Sequence, residues 1–240
     1  MRAVETAVIL AAGRGTRLGT LGQEIPKGFL KLGDKLLIEE SLDKLEAVGV
    51  RRVVIVTGHL AHFYQELAAR RAGLVETVPN PKYVELGSLF SLQVGLKAAE
   101  GGPLLVLESD LVYEPRALDE VLADQHEDVV LLSGPTGSGD EVWVETDRDG
   151  RLVAMSKDRG ALGARVAGEL VGITRVSQAL AVLLRALTPE GEYETRGLVA
   201  ASKRHPVYCR RVDGLAWAEI DDEHQLRRAR GHLGASKDVL

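Results

Sequence analysis

Over the first 135 residues, short apolar runs alternate with stretches whose apolar positions recur every three or four residues. The runs Ala7–Leu10, Arg52–Thr57, Leu74–Val78, Leu104–Leu107 and Val129–Leu132 are dominated by β-branched and aliphatic residues, with no alternation of polar positions. That is the pattern of strands buried on both faces, as in a parallel sheet. Between them, Leu36–Val48, Leu60–Arg71, Ser88–Ala99 and Pro115–Ala123 show helical spacing, with Gly49, Gly58 and Asn80-Pro81 as breakers. Strand-then-helix order predicts an α/β architecture with a mostly parallel sheet covered by helices. The pattern changes at Ser133. Glu141–Thr146 alternates, Asp147-Arg148-Asp149-Gly150 reads as a turn, and Arg151–Met155 completes a hairpin. Val166–Thr174 is a further strand, Gln178–Leu187 and Tyr193–Lys203 are helices, and Val207–Val212 and Ala216–Ile220 are late strands. A final helix, Glu223–Leu233, is capped by Asp221 or Asp222, with a frayed tail beyond it.

Composition narrows the class without naming it. The 240 residues are 45% hydrophobic and 27% charged, ordinary values for a soluble globular chain with room for one large α/β domain. A net charge of -5 and the absence of a long Lys/Arg tract argue against nucleic acid as a main partner. Cys209 is the only cysteine, which excludes an intrachain disulfide and points to a reducing, cytoplasmic setting. It lies in an apolar-alternating run and reads as a packed thiol. Met1-Arg2 runs straight into strand-like sequence, so no leader peptide is expected, and no apolar segment is long enough to span a bilayer.

Candidate chemistry concentrates in Ala7–Lys27. After the first strand, Ala11, Ala12, Gly13 and Gly15 leave backbone N–H groups open to a ligand, and Arg14, Arg17 and Lys27 add charge suited to phosphate oxygens. The loop is not a dinucleotide fingerprint, because Leu18 stands where a third glycine belongs, and no Gly-Lys-Ser/Thr follows. Pro26 fixes the backbone ahead of Lys27. Asp110 and Asp221 each follow a strand, where carboxylates are placed to hold Mg²⁺ over phosphates. Singly, Asp110 is as readily a turn residue and Asp221 a helix cap; together with the cradle they favour metal binding. His59 and His62 lack a third ligand, and in Asp221-Asp222-Glu223-His224 the residues after Asp221 suit a helix N-terminus.

The segments AVILAAGRGTRL and PKGFLKLG resemble the signature of sugar-nucleotide and related nucleotidyltransferases, and LLVLESDLVY and WAEIDDEHQL fit the same superfamily. Choline-phosphate cytidylyltransferases share the first signature and the late Glu-Ile-Asp. SGDEVWVETD, MSKDRGAL and GELVGITRVS are closer to the 2-aminoethylphosphonate cytidylyltransferases, and the likeness runs from Ala7 to Arg230. The resemblance implies a Rossmann-like, GT-A-like nucleotidyltransferase fold with a small β-hairpin insertion. It implies one domain over 1–240, with a nucleotide-binding half at 1–135 and an acceptor-binding half at 136–240. The implied reaction is Mg²⁺-dependent transfer of CMP from CTP to 2-aminoethylphosphonate, with release of pyrophosphate. Asp110 and Asp221 would hold the metal, and Lys27 would neutralise charge on the α-phosphoryl group. Arg17 and the Gly13–Thr16 backbone would hold the leaving pyrophosphate. Ala11, Ala12, Asn80, Gly87 and Ser88 fall where base contacts are expected, although Gly87-Ser88 suits a helix N-cap equally well. For the acceptor, Lys157 is the expected cation and Glu169 the expected anion, with Asp140, Glu141 and Glu194 as weaker anions. Aromatic residues are only 4%, with Trp143, Tyr193 and Trp217 the few available for a choline cage, which favours a primary amine. A choline-phosphate or sugar 1-phosphate acceptor is the alternative, and a nucleotide-binding regulator without catalysis is the non-enzyme alternative. No nucleic-acid or membrane partner is expected; a homodimer is left open.

Overall fold

The computed structural model describes residues 2–232, and the apolar run near its start becomes the middle of a large sheet. In chain order the elements are β1 (Thr6–Ala11), α1 (Thr20–Glu24), α2 (Leu37–Ala47), β2 (Arg52–Thr57), α3 (Ala61–Arg70), β3 (Val75–Pro79), α4 (Ser88–Ala98), β4 (Leu104–Glu108), β5 (Leu111–Tyr113) and α5 (Arg116–Ala123). Then follow β6 (Val129–Ser133), β7 (Trp143–Thr146), β8 (Leu152–Ser156), β9 (Val166–Val176), α6 (Gln178–Arg185), α7 (Val199–Ser202), β10 (Tyr208–Arg211), β11 (Trp217–Glu219) and α8 (Glu223–His232). A π-helical turn, Tyr193–Leu198, leads into α7.

The main path of the sheet runs β10-β6-β9-β4-β1-β2-β3, with the β7–β8 hairpin attached through β9. Pairs β1–β2, β1–β4, β2–β3 and β6–β10 are parallel, while β9 runs antiparallel between β4 and β6. The sheet is therefore mixed and mostly parallel. Side chains alternate between two cores, as a strand's period of two requires. Ile9, Ile55 and Leu107 face Leu42, Leu67 and Leu118 of α2, α3 and α5. Val8, Val54 and Val106 face Leu92, Leu96 and Leu184 of α4 and α6. A smaller cluster of Leu18, Leu30, Val112, Ile220 and Leu226 ties the opening stretch to β5 and α8.

Two departures from the sequence reading bear on the site. The expected late strand at Ala216–Ile220 is β11, which leaves the main sheet and pairs with β5, three residues that periodicity does not reveal, in a separate two-stranded antiparallel ribbon. The helix expected over Tyr193–Lys203 begins as a π turn. Leu233, the last residue of the expected final helix, and the tail beyond it lie outside the described residues. Among the described residues no helix is long and apolar enough to cross a membrane.

Candidate active site

Ligands in open α/β sheets bind beyond the carboxyl ends of the strands, and two aspartates stand there together. Asp110 follows β4, and the amide of Ser109 donates to the Leu10 carbonyl at 3.1 Å, tying this turn to the end of β1. Asp221 follows β11, and the Ile220 amide donates to the Asp110 carbonyl at 3.1 Å, which sets the two aspartates side by side. Helix capping falls to Asp222, whose Oδ1 accepts from the Gln225 amide at 2.7 Å. Gln225 Oε1 in turn accepts from the Asp221 amide at 2.6 Å. This reciprocal cap fixes the Asp221 backbone and leaves its carboxylate for the site.

Lys27 enters this pair from a short 3-10 turn that starts after Pro26. Its Nζ lies 2.7 Å from Asp110 Oδ2 and also pairs with Asp221 Oδ1. Burial opposes the Lys27 charge, but Asp110 and Asp221 more than offset it, so its pKa is raised and the ammonium is held charged. Arg17 Nη2 pairs with Asp221 Oδ2 at 2.8 Å, and Nη1 pairs with Asp140.

Glu219, two residues before Asp221 on β11, adds a third carboxylate that the sequence reading did not single out. One oxygen from each of Asp110, Glu219 and Asp221 lies within 4.8 Å of the others. Glu219 is open to solvent on the cavity side, yet the protein crowded around its carboxyl, followed by the charges of Asp110 and Asp221, raises its pKa well above the usual carboxylate range. Asp110 Oδ1 is buried without a hydrogen-bond partner. Crowded carboxylates, one with an unsatisfied oxygen, make the hard oxygen donor set that a divalent cation such as Mg²⁺ takes.

Beside this cluster opens a cavity of about 860 Å³, a size suited to a small ligand. Its lining includes Arg17, Lys27, Lys157 and Asp140 together with Glu108, Glu194 and Glu219. The π turn delivers Glu194 to this cavity. Burial raises the pKa of both Glu108 and Glu194, and the neighbouring Glu194 and Asp110 charges push Glu108 further.

Of the expected nucleotide contacts, Arg17, Lys27 and Ser88 line this cavity; Ala11, Ala12, Gly13, Arg14, Gly15, Thr16, Asn80 and Gly87 do not. Gly13–Thr16 remains an exposed or half-exposed loop, and among the described residues its amides donate to no backbone carbonyl. Asn80 is buried, its Nδ2 donates to Ser91 Oγ at 2.9 Å, and its Oδ1 accepts from the Lys82 amide at 2.8 Å. Gly87 occupies the N-cap position of α4, where an added Cβ would sit 2.4 Å from the Gly191 carbonyl oxygen. Ser88 Oγ donates to Glu192 at 2.6 Å and accepts from the Tyr193 amide at 2.9 Å, fastening α4 to the π turn.

The acceptor candidates are engaged with one another. Lys157 Nζ lies 2.6 Å from Asp140 Oδ1. Asp140 is thus shared by Lys157 and Arg17; although burial acts against its charge, their bonds hold its pKa below the ordinary value. Glu169 accepts from the Thr136 amide at 2.6 Å and from Thr136 Oγ1 at 2.9 Å. Each of its oxygens accepts one bond from Thr136, and it lines the same cavity, as does Glu194, ranked behind it in the sequence. Trp143 packs under Arg159, at 4.8 Å from its ring centre, and is not a lining residue. His59 Nε2 lies 3.1 Å from the Gly22 carbonyl oxygen, and its amide donates to the Ala12 carbonyl, so it braces the first loop.

Comparison with known proteins gives this geometry a context. The family model described as a MobA-like NTP transferase domain matches residues 7–236. CMP-5'-(3-aminopropyl)phosphonate synthase of Streptomyces rubellomurinus is 31% identical over 93% of this chain and 38% of its own length. The 2-aminoethylphosphonate cytidylyltransferase of Lancefieldella rimae is 29% identical over 63% of this chain and 60% of its own. The chain therefore spans about two to three fifths of the length of these relatives. Among solved structures, the inositol-1-phosphate CTP transferase from T. maritima superposes with a TM-score of 0.80 at 18% identity, covering 96% of this chain and 98% of that one.

Proposed function

The chain belongs to the MobA-like NTP transferase family, and from that premise we propose that it transfers CMP from CTP to 2-aminoethylphosphonate, releasing pyrophosphate. One observation carries the choice of acceptor. The same cavity is lined by the cations Arg17, Lys27 and Lys157 and by the carboxyl groups of Glu108 and Glu194, the two kinds of group that a short zwitterion with an anionic and an ammonium end would meet. The relatives that act on aminoalkylphosphonates by name support this reading.

In the reaction an acceptor phosphonate oxygen bonds to the α-phosphorus of CTP while the bond to pyrophosphate breaks. The nucleophile is already an anion, so no general base is needed; positioning and charge neutralisation dominate. Lys27 neutralises charge on the transferred phosphoryl group, and Arg17, with the open amides of Gly13–Thr16, holds the leaving pyrophosphate. Lys157 orients the phosphonate. Asp110 and Asp221, with Glu219 beside them, would hold Mg²⁺, which when bound supplies positive charge at the phosphates. Glu108 and Glu194 take the ammonium, and Glu169 holds the Thr136 loop at the cavity's edge. Trp217 is the one aromatic among the lining residues, and carboxyl groups suit a primary ammonium that donates hydrogen bonds better than a quaternary one.

Pyrophosphate release tests the reading. The protein, CTP and Mg²⁺ are incubated with 2-aminoethylphosphonate, 3-aminopropylphosphonate, choline phosphate or inositol 1-phosphate. Preference for 2-aminoethylphosphonate is expected. Turnover confined to another acceptor sinks the substrate assignment, and no turnover with CTP sinks the cytidylyl assignment.

A further inference from the structure

The loop between β6 and β7 is a chain of hydrogen bonds with a grip at one end and a shared carboxylate at the other. Its sequence, Thr136-Gly137-Ser138-Gly139-Asp140, alternates hydrogen-bonding side chains with glycines. Gly137 and Gly139 have φ of 66° and 86°, a left-handed backbone that lets each intervening residue fold back on the one before. The Ser138 amide donates to Thr136 Oγ1, and the Asp140 amide donates to Ser138 Oγ, each at 3.3 Å. The placement of Asp140 is therefore handed along from Thr136.

Thr136 is held from two directions. From the sheet, Glu169 accepts its amide and its hydroxyl. From α8, Arg228 donates through Nη2 to the Thr136 carbonyl and through Nη1 to the Gly137 carbonyl, both at 2.8 Å. At the far end, Asp140 joins Arg17 to Lys157. The same helix fixes Asp221 through Gln225.

We infer that Arg228 is a positioning residue: with Glu169 it locks Thr136 and Gly137, and through them sets Asp140 between the nucleotide-side cation Arg17 and the acceptor-side cation Lys157. α8 thereby registers the acceptor loop and the metal-binding aspartate against one another. The inference rests on the acceptor reading of Lys157. A guanidinium suits this task because its rigid fork reaches two carbonyls at once, which a lysine ammonium does less well.

Steady-state kinetics with hydrogen exchange test it. Arg228→Ala should raise the acceptor KM about tenfold, as expected when lost hydrogen bonds let a binding group drift, with smaller changes in the CTP KM. Peptides covering Thr136–Asp140 should exchange faster while α8 keeps its protection. Arg228→Lys, which keeps charge and packing, should leave the loop exchanging faster than wild type and recover only part of the KM. In an Asp140→Ala background, Arg228→Ala should add little, since its effect runs through Asp140. Additive effects, unchanged loop exchange, or loss of protection along α8 in both variants would overturn the proposal. Loop exchange does not depend on which acceptor is turned over, so it judges Arg228 even if the aminophosphonate assignment fails.

Discussion

Replacing Lys27 by Met separates what this residue does for the fold from what it does for the reaction. Its ammonium joins two carboxylates whose side chains are only 7% and 2% exposed, with Glu219 crowded against them. Removing one partner of a buried pair costs about 3–5 kcal/mol, because the remaining charge is stranded. Lys27 itself is 19% exposed and Arg17 still pairs with Asp221, so the lower end applies. A loss of about 3 kcal/mol lowers the melting temperature of a chain this size by roughly 10 °C. A divalent cation should replace the missing charge. At a concentration about 100 times its Kd it returns roughly 2.7 kcal/mol, provided it binds only the folded state. Activity should not follow. Without the ammonium at the transferred phosphoryl group, kcat should stay about 100- to 1000-fold low in saturating Mg²⁺, the usual loss for one preorganised charge donor. Urea unfolding with EDTA or Mg²⁺, alongside pyrophosphate release, gives both numbers. Equal stability of variant and wild type in EDTA would refute the buried-pair argument. No stabilisation of either by Mg²⁺ would refute the cation site, equal stabilisation of both would refute the replacement of the ammonium by the cation, and recovery of activity together with stability would remove Lys27 from the chemistry.

Glu194→Gln should raise the KM for the amine acceptor several-fold with little change in that for CTP, since the group facing the ammonium can no longer ionise; a change confined to CTP would move Glu194 out of the acceptor site. Asp128 is buried and accepts from the Ser177 amide at 2.6 Å and Ser177 Oγ at 2.8 Å, with His205 Nε2 at 2.6 Å. Asp128→Ala should cost about 2–4 kcal/mol in urea unfolding and leave kcat unchanged, because Asp128 precedes β6 at the end away from the cavity; an equally stable variant would refute it. Burial, with a smaller push from Asp147, raises the Cys209 thiol to about 12. Near pH 8 only roughly one thiol in ten thousand is then ionised, so alkylation should be slow in the folded protein and fast in urea; equal rates would refute the shielding.

The parts of this molecule that could be read from the chain are those with a local signature. β1, β2 and β4 are apolar runs, and Arg17, Lys27, Asp110 and Asp221 sit at or just past the ends of such runs or in the glycine-rich stretch. β5 escaped because three residues carry no period, and with it went the β5–β11 ribbon that holds Asp110 beside Asp221. Glu219 and Glu108 escaped because an acidic residue in a strand reads as solvent-facing unless its surroundings are known. Glu169 drew attention for its apolar neighbours, but its partner Thr136 is 33 residues away, and no spacing rule links them. Asn80 is expected near the base from the resemblance; the bonds its side chain makes to Ser91 and Lys82 carry no signature in the sequence.

The charges of the site are arranged so that ligand binding is an exchange. Lys27, Arg17 and Lys157 are each paired with a carboxylate of the same cluster, so the folded chain carries little stranded charge there. A triphosphate would compete with Asp140 and Asp221 for Arg17, and a phosphonate would compete with Asp140 for Lys157. Each phosphate contact then replaces an ion pair, and the net gain is smaller than a bare count of cations suggests. The carboxylates released from those pairs are not left bare on this scheme. Asp110 and Asp221 take the divalent cation, and Glu108 and Glu194 take the ammonium. Asp140 alone has no ligand group assigned to it, yet it faces both Arg17 and Lys157. Its place must therefore be set by the protein, which is the task the Glu169–Thr136–Arg228 grip performs.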